Sequence, residues 1–120
     1  MECAATLFVY GTLKRGCRNW SVLKAAVYLG EARTEPAYRM YNCGAYPGLV
    51  EADGGEGQAI HGELYRVDER LLAELDGFED APNEYVRGPV ALEGGATAQT
   101  YFYRLGTAHL RLCGAVWSEG

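Results

Sequence analysis

An apolar run that ends in a glycine-bracketed turn is the feature that most constrains how this chain can fold. Residues 4–9 are apolar apart from Thr6, and aliphatic and aromatic side chains alternate there, as is typical of a mostly buried strand. Gly11 and Gly16 bracket the turn that follows, and glycine lets the backbone adopt conformations closed to other residues. Successive N–H groups in such a turn can point into one concavity and bind a carboxylate. We therefore predict a buried strand with an anion-binding turn at its end.

Further along the chain, short alternating segments predict strands that are joined by turns. The alternation of residues 59–67 is the clearest, and we expect this strand near the centre of the sheet. Gly94-Gly95 separates two other extended segments, which are predicted to form a hairpin. The glycine-rich residues 52–57 are predicted to form a mobile loop. The predicted strands after the first cover residues 27–34, 38–42, 49–50, 59–67, 86–92 and 96–105.

Two short helices complete the predicted elements. Asn19 is expected to cap a helix that continues to residue 26, and Asp68 is expected to cap a second helix over residues 69–76. Gly77 would then be the residue that ends the second helix. Strands outnumber helices and their connections are short. We therefore predict an α+β fold, a small mixed but mostly antiparallel β-barrel or curled sheet with flanking short helices.

Length, charge and cysteine spacing disfavour several classes of protein. A chain of 120 residues is expected to form a single domain over residues 1–120. The net charge of -5 argues against a nucleic-acid partner. No run approaches the roughly 18 apolar residues of a membrane span and no secretory signal is recognisable, so we expect no membrane association and a cytoplasmic location. The four cysteines lack C-x-x-C spacing and the two histidines are far apart, so we expect reduced thiols and no metal site.

An acidic stretch at the end of the second predicted helix is the strongest candidate for chemistry. Glu74, Asp76, Glu79 and Asp80 crowd a helix C-terminus, where each carboxylate is disfavoured by a few tenths of a kcal/mol or more. A solvated acidic turn would explain the stretch without any function. However, Glu79 directly follows Phe78, and apolar neighbours raise the pKa of a carboxyl. Such a group can accept and return a proton near neutral pH.

Five short motifs occur in an order that matches a known enzyme family. They are Phe8-Val9-Tyr10-Gly11-Thr12-Leu13-Lys14, Tyr46-Pro47-Gly48, Gly62-Glu63-Leu64-Tyr65, Leu75-Asp76-Gly77-Phe78-Glu79 and Tyr85-Val86-Arg87. With them the chain closely resembles the γ-glutamylcyclotransferase-like superfamily, nearest to its γ-glutamylamine cyclotransferase branch and the related butirosin-deprotecting enzymes. The resemblance covers about residues 5–104. No single motif is specific, and the order of all five carries it.

The resemblance implies a small mixed β-barrel and an enzyme that cleaves a γ-glutamyl amide with the substrate's own α-amine. The products would be 5-oxoproline and a free amine. Glu79 would be the catalytic acid and base, and a tyrosine late in the chain would contact the substrate, with Tyr103 as the nearest candidate and Tyr101 the less favoured one. No metal or organic cofactor is expected, and a small γ-glutamyl amide is the expected partner. The residues that would hold the γ-glutamyl group are Tyr10, Gly11, Thr12 and Leu13.

Two other functions fit the same residues. The chain could be a non-catalytic small-ligand-binding domain of the same fold, or an amide hydrolase in which Glu79 activates water. The three functions differ in product, which is 5-oxoproline for the cyclotransferase, free glutamate for the hydrolase and nothing for the binding domain. Lys14 and Arg15 follow the turn and are candidates for attracting an acidic substrate.

Overall fold

The computed structural model describes residues 5–52, 57–81 and 83–118. These residues form eight strands, one α-helix and one short 3₁₀ helix. The strands are β1 (Ala5–Val9), β2 (Val27–Arg33), β3 (Tyr38–Asn42), β4 (Pro47–Glu51), β5 (His61–Val67), β6 (Tyr85–Ala91), β7 (Thr97–Tyr103) and β8 (Arg111–Leu112); the 3₁₀ helix is Trp20–Leu23 and the α-helix α1 is Glu69–Phe78.

The strands form one curled, mixed sheet in the order β2-β5-β1-β7-β4-β3-β8, with β6 paired to β7 outside this path. Two pairings are parallel, β1 with β7 at Leu7 and Gln99, and β4 with β7 at Leu49 and Phe102. All other pairings between the named strands are antiparallel. The predicted α+β class with a mostly antiparallel, curled sheet is therefore confirmed. Strand β5, which we predicted near the centre of the sheet, is an interior strand between β2 and β1, but it lies second from one edge rather than at the centre.

The sequence of strand β1 is continuously apolar because both faces of the strand are buried. Leu7 and Val9 pack in one apolar cluster with Tyr65 and with Leu75 of α1. Phe8, from the opposite face, packs in a second cluster on the other side of the sheet. A strand buried on both faces reads as an apolar run rather than as an alternation with polar residues. The turn after β1 therefore emerges from the middle of the core.

The predicted strand boundaries agree with the structure to within about two residues. One strand is longer than predicted, and the structure contains one further strand. Strand β4 begins at Pro47 rather than at residue 49, and the tail adds the two-residue strand β8. Pro89 lies inside β6, opposite Gln99 of β7. Among the described strands β6 pairs with β7 alone, and an edge strand tolerates a proline because it needs no second ladder. Most of the predicted loop over 52–57 lies outside the described residues.

The first predicted helix is only a 3₁₀ turn, and Asn19 does not cap it. The Asn19 side chain makes no capping hydrogen bond; its amide Nδ2 donates instead to Thr12 Oγ1 at 3.0 Å. The Asn19 side chain, which is of a type suited to capping, therefore makes a tertiary contact instead. The local sequence does not reveal this contact.

Helix α1 is capped at its start as predicted, but it ends later than Gly77. The Asp68 carboxylate accepts a hydrogen bond from the Leu71 N–H at 2.8 Å. The helix continues through Gly77, and the left-handed residue that follows its end is Asp80, with a φ of 56°. The Asp80 N–H donates to the Gly77 carbonyl at 3.1 Å and the Ala81 N–H donates to the Asp76 carbonyl at 2.9 Å, which together form a Schellman motif. The prediction that Gly77 ends the helix is wrong because Asp80 adopts the conformation usually left to glycine.

No helix in the described part of the chain is both long enough and apolar enough to cross a membrane.

Candidate active site

The turn after β1, the end of α1 and the middle of β7 surround one cavity of about 260 Å³. Glu79 lines this cavity, and so do the residues predicted to hold the γ-glutamyl group, which are Tyr10, Gly11, Thr12 and Leu13. The fold thus brings the two features singled out in the sequence to one place, although they are far apart along the chain. Of the predicted site residues, Tyr103 alone does not line the cavity.

The turn carries three consecutive backbone donors at the cavity wall. It is closed by the Lys14 N–H, which donates to the Gly11 carbonyl at 3.1 Å. No hydrogen bond among the described residues uses the N–H of Gly11, Thr12 or Leu13 as its donor. Successive N–H groups of this kind can bind a carboxylate or a developing oxyanion.

Gly11 is required by lack of space and not by its backbone angle. A Cβ atom built on Gly11 would lie 2.6 Å from Cγ of Pro47 and 2.8 Å from its Cδ. Gly11 is absent from the described residues with a positive φ, so our expectation that it relaxes the backbone there is wrong. Pro47 belongs to the Tyr46-Pro47-Gly48 motif, and the two motifs are therefore fitted to each other by direct contact.

Hydrogen bonds from both sides hold the turn in place. The Asn19 N–H donates to the Thr12 carbonyl at 2.9 Å, in addition to the contact of its side chain with the Thr12 hydroxyl. Behind the turn, the buried Glu63 carboxylate accepts hydrogen bonds from the Arg15 N–H at 2.9 Å and from the Tyr65 hydroxyl at 3.1 Å. The Gly62-Glu63-Leu64-Tyr65 motif therefore acts as a support for the turn and not as part of the cavity wall.

The two basic residues that directly follow the turn point away from the cavity. Lys14 Nζ donates to the Trp117 carbonyl at 2.7 Å. The Arg15 guanidinium lies over the Tyr28 ring, 3.9 Å from its centroid, and its Nε is 3.8 Å from a Glu63 carboxylate oxygen. Arg18 lines the cavity instead. Its position in an irregular loop gave no periodic signal from which this placement could be predicted.

Glu79 is a half-buried carboxyl without a partner. It is the C-cap residue of α1, and its N–H donates to the Leu75 carbonyl at 2.9 Å. Its carboxylate forms no hydrogen bond and no ion pair with any described residue. Burial, and to a smaller extent the negative charge of Glu84, which lines the same cavity, together raise the pKa of Glu79 from 4.5 to about 7.

The tyrosines of the cavity all donate their hydroxyl hydrogens to protein acceptors. These tyrosine hydroxyls therefore offer ligands lone pairs rather than hydrogen-bond donors. The tyrosines and their acceptors are Tyr10 with the Tyr101 carbonyl at 2.6 Å, Tyr85 with the Pro47 carbonyl at 2.7 Å, Tyr101 with Asp76 Oδ1 at 2.6 Å, and Tyr46 with Glu84 Oε2.

The structure brings Tyr101 rather than Tyr103 to the cavity. Tyr101 is buried, lines the cavity and donates to Asp76. Tyr103 packs edge-on against Tyr85 with ring centroids 5.5 Å apart, and its Cβ and Cγ leave no space for a side chain on Gly48. This placement reverses the order in which the two were favoured. Strand alternation puts both on one face, but it does not show where along the strand the cavity ends.

Two comparisons with known proteins decide the family. The family model described as gamma-glutamyl cyclotransferase, AIG2-like, matches residues 7–119. The chain belongs to this γ-glutamylcyclotransferase family. A Vibrio cholerae relative, which carries a provisional name as a γ-glutamylcyclotransferase, is 47% identical over 98 residues, or 82% of this chain and 81% of the relative. The γ-glutamylaminecyclotransferase of Bos taurus is 42% identical over 99 residues, which cover 75% of this chain but 58% of the bovine protein.

The solved structures agree with the family. The crystal structure of an AIG2-like protein from Mus musculus superposes with a TM-score of 0.81 at 32% sequence identity. The match covers 98% of this chain and 90% of the mouse chain. The family membership and the curled mixed sheet predicted from the sequence are both confirmed.

The last two motifs that resemble the γ-glutamylcyclotransferase family fix the end of α1 against the sheet. Asp76 accepts two hydrogen bonds from the Arg87 guanidinium, from Nε at 2.9 Å and from Nη2 at 3.1 Å. This ion pair lowers the pKa of Asp76, and together with the Tyr101 hydroxyl it supplies donors to both oxygens of the Asp76 carboxylate. Asp76 therefore positions the residues that follow it, and Glu79 remains the unpaired carboxylate of the motif.

Proposed function

We propose that this chain is a γ-glutamyl amide cyclotransferase in which Glu79 is the general acid and base. The observation that carries the proposal is the unpaired, half-buried Glu79 carboxyl, which lines one cavity with the backbone donors of Gly11, Thr12 and Leu13. A group with a pKa near 7 is suited to accept and return a proton at neutral pH. Membership of the γ-glutamylcyclotransferase family supports the same reaction class.

The distribution of donors and acceptors supports one orientation of the γ-glutamyl group. Its α-carboxylate fits the donor side of the cavity, which is formed by the turn N–H groups. Its α-ammonium fits the acceptor side, where Glu79 lies with the lone pairs of the Tyr101 hydroxyl. The arm is then bent, with the α-nitrogen near the δ-carbonyl carbon that it attacks.

In the proposed reaction, Glu79 accepts a proton from the α-ammonium, so that the nitrogen lone pair can attack the δ-carbonyl carbon. The ring C–N bond forms, the amide C–N bond breaks, and Glu79 returns the proton to the departing nitrogen. The lactam nitrogen keeps one of the three ammonium hydrogens. The other two pass in turn through Glu79 to the departing nitrogen, which leaves as an ammonium ion. Attack within one molecule can reach effective molarities of roughly 10⁵–10⁸ M, so holding the arm bent is a large part of the task.

The compartment and partners belong to the same proposal. Cys17, Cys43 and Cys113 are free thiols, which supports a reducing location such as the cytoplasm. The partner would be a small γ-glutamyl amide. The net charge of -5 supports neither nucleic acid nor an anionic membrane surface as a partner.

A panel of γ-glutamyl amides with different amines, analysed by mass spectrometry, tests the proposal. We expect release of 5-oxoproline from at least one member, and loss of that product in Glu79→Gln. Glu74→Gln removes an exposed carboxyl from the same helix and serves as the matched control, with activity near that of the parent chain. Free glutamate as the product would establish a hydrolase instead. Binding of the panel without turnover would establish a ligand-binding domain.

A further inference from the structure

A second carboxylate, that of Glu84, lines the cavity beside Glu79. The two residues come from the same turn, which follows the end of α1. The Glu84 backbone is held on both sides, because its N–H donates to the Asp80 carbonyl at 2.9 Å and its carbonyl accepts from the Arg104 N–H at 3.0 Å. The position of Glu84 is therefore fixed by the same Schellman turn that places Glu79.

The Glu84 side chain is held by Tyr46 rather than by a cation. The Tyr46 hydroxyl donates to Glu84 Oε2, and this contact raises the pKa of Tyr46 to about 12. No Lys or Arg side chain among the described residues forms an ion pair with Glu84. The Glu84 carboxylate is thus held by a neutral donor rather than by an ion pair with a described residue.

We propose that Glu84 is a positioning residue for Glu79: its charge, anchored by the Tyr46 hydroxyl, disfavours ionisation of Glu79 and so makes the ionised Glu79 carboxylate a stronger acceptor for the α-ammonium proton. This inference rests on the proposed function for its catalytic meaning. The electrostatic effect of Glu84 on Glu79 follows from the presence of two carboxylates in one cavity, because two like charges close together disfavour simultaneous ionisation.

The other titratable groups around the cavity do not supply a negative charge that would disfavour ionisation of Glu79. Asp76, on α1 itself, is neutralised by Arg87. Arg18, from the loop after β1, lines the same cavity, but as a cation it would lower the pKa of a nearby carboxyl rather than raise it. The remaining titratable groups are neutral tyrosines whose pKa values are raised, chiefly by burial: Tyr10 after β1, Tyr85 on β6 and Tyr101 on β7. Glu84 is therefore the one other carboxylate among the described residues of the cavity wall.

Glu84→Gln tests the inference by removing the charge while keeping the shape. Carbon-13 NMR of the side-chain carboxyls follows the titration of Glu79 directly and does not depend on turnover. We expect the Glu79 titration to move to lower pH in Glu84→Gln, to move less in Tyr46→Phe, and to stay in place in the control Glu74→Gln. The acidic limb of the pH profile of kcat/KM should move in parallel, since a pKa lowered by about one unit raises the ionised fraction of Glu79 about tenfold at pH below both values.

The outcomes separate this inference from the proposed function. An unmoved Glu79 titration in a folded Glu84→Gln variant would overturn the role of Glu84 and leave the role of Glu79 intact. If Glu84→Gln does not fold, as judged by circular dichroism, Tyr46→Phe decides, and an unmoved titration there overturns the inference. Full activity of Glu79→Gln would overturn the proposed function, whatever the titration shows.

Discussion

The burial of Glu79 makes the stability of this chain depend on pH in a way that one substitution can isolate. The pKa of this carboxyl is about 7 in the folded chain against 4.5 for an exposed glutamate, and one pKa unit corresponds to about 1.4 kcal/mol. Because the folded pKa is raised, the unfolded chain is the more ionised state between these two values. The free energy of unfolding therefore falls as pH rises from below about 4.5 to above about 7, by roughly 3 kcal/mol from this group.

Glu79→Gln removes the charge and nearly preserves the side-chain volume, so it removes this pH dependence. Urea unfolding of both chains at about pH 5 and about pH 8 provides the measurement. Between about pH 5 and about pH 8, we expect the free energy of unfolding of the parent chain to fall by roughly 2 to 3 kcal/mol more than that of the variant. At the higher pH the variant should be the more stable protein, although we expect it to be inactive.

Other titrating groups do not obscure this comparison. The pKa of Asp76 is lowered by Arg87, so its contribution to stability is lost as pH falls, which is the opposite trend. That contribution is present in both chains and cancels in their difference. Parallel pH dependences for the parent chain and Glu79→Gln would refute the reasoning, because they would mean that Glu79 is solvated. Glu74→Gln, an exposed control on the same helix, should match the parent chain at both pH values.

Two further predictions test the fit of the cavity. Gly11→Ala places a Cβ about 2.6 Å from Pro47 Cγ. We expect this variant to have a higher KM and a free energy of unfolding in urea that is lower by roughly 1–3 kcal/mol. Gly77→Ala, whose Cβ would meet no atom within 4 Å, is the control and should not destabilise the helix. An unchanged KM in Gly11→Ala would count against the turn as a binding element. Tyr101→Phe, which removes a hydroxyl from the cavity, should lower kcat/KM about tenfold or more, and Tyr103→Phe should have the smaller effect; the reverse order would restore Tyr103 as the substrate contact.

The parts of the fold that the sequence predicted are those that depend on local patterns. Strand β1 was recognisable because both of its faces are buried, which leaves an uninterrupted apolar run. Helix α1 was recognisable from its cap and its apolar side. Its end was misplaced because Asp80 adopts a left-handed conformation, and an aspartate in that state carries no signal in one sequence. Gly77, the expected stop, lies inside the helix instead.

The parts of the site that were missed depend on contacts between distant segments. Nothing in the local sequence shows that Pro47 fills the space beside Gly11, or that Asn19 donates to Thr12. Tyr101 and Tyr103 share a face of β7, and they differ only by the rise of about 7 Å over two strand residues. That step decides which tyrosine reaches the cavity. It is set by the pairing of β7 with its neighbours rather than by its own sequence.

In the proposed reaction, the side chains of the cavity wall favour Glu79 as the proton carrier. The four tyrosine hydroxyls there donate to protein acceptors and their pKa values are raised, so none ionises near neutral pH. Glu84 is engaged by Tyr46 and Asp76 lies in an ion pair with Arg87. Among the described residues that line the cavity, Glu79 alone combines an unpaired carboxylate with a pKa near 7. In that reaction the turn after β1 would hold the substrate in a bent geometry, and the half-buried Glu79 carboxyl would carry out the proton transfers.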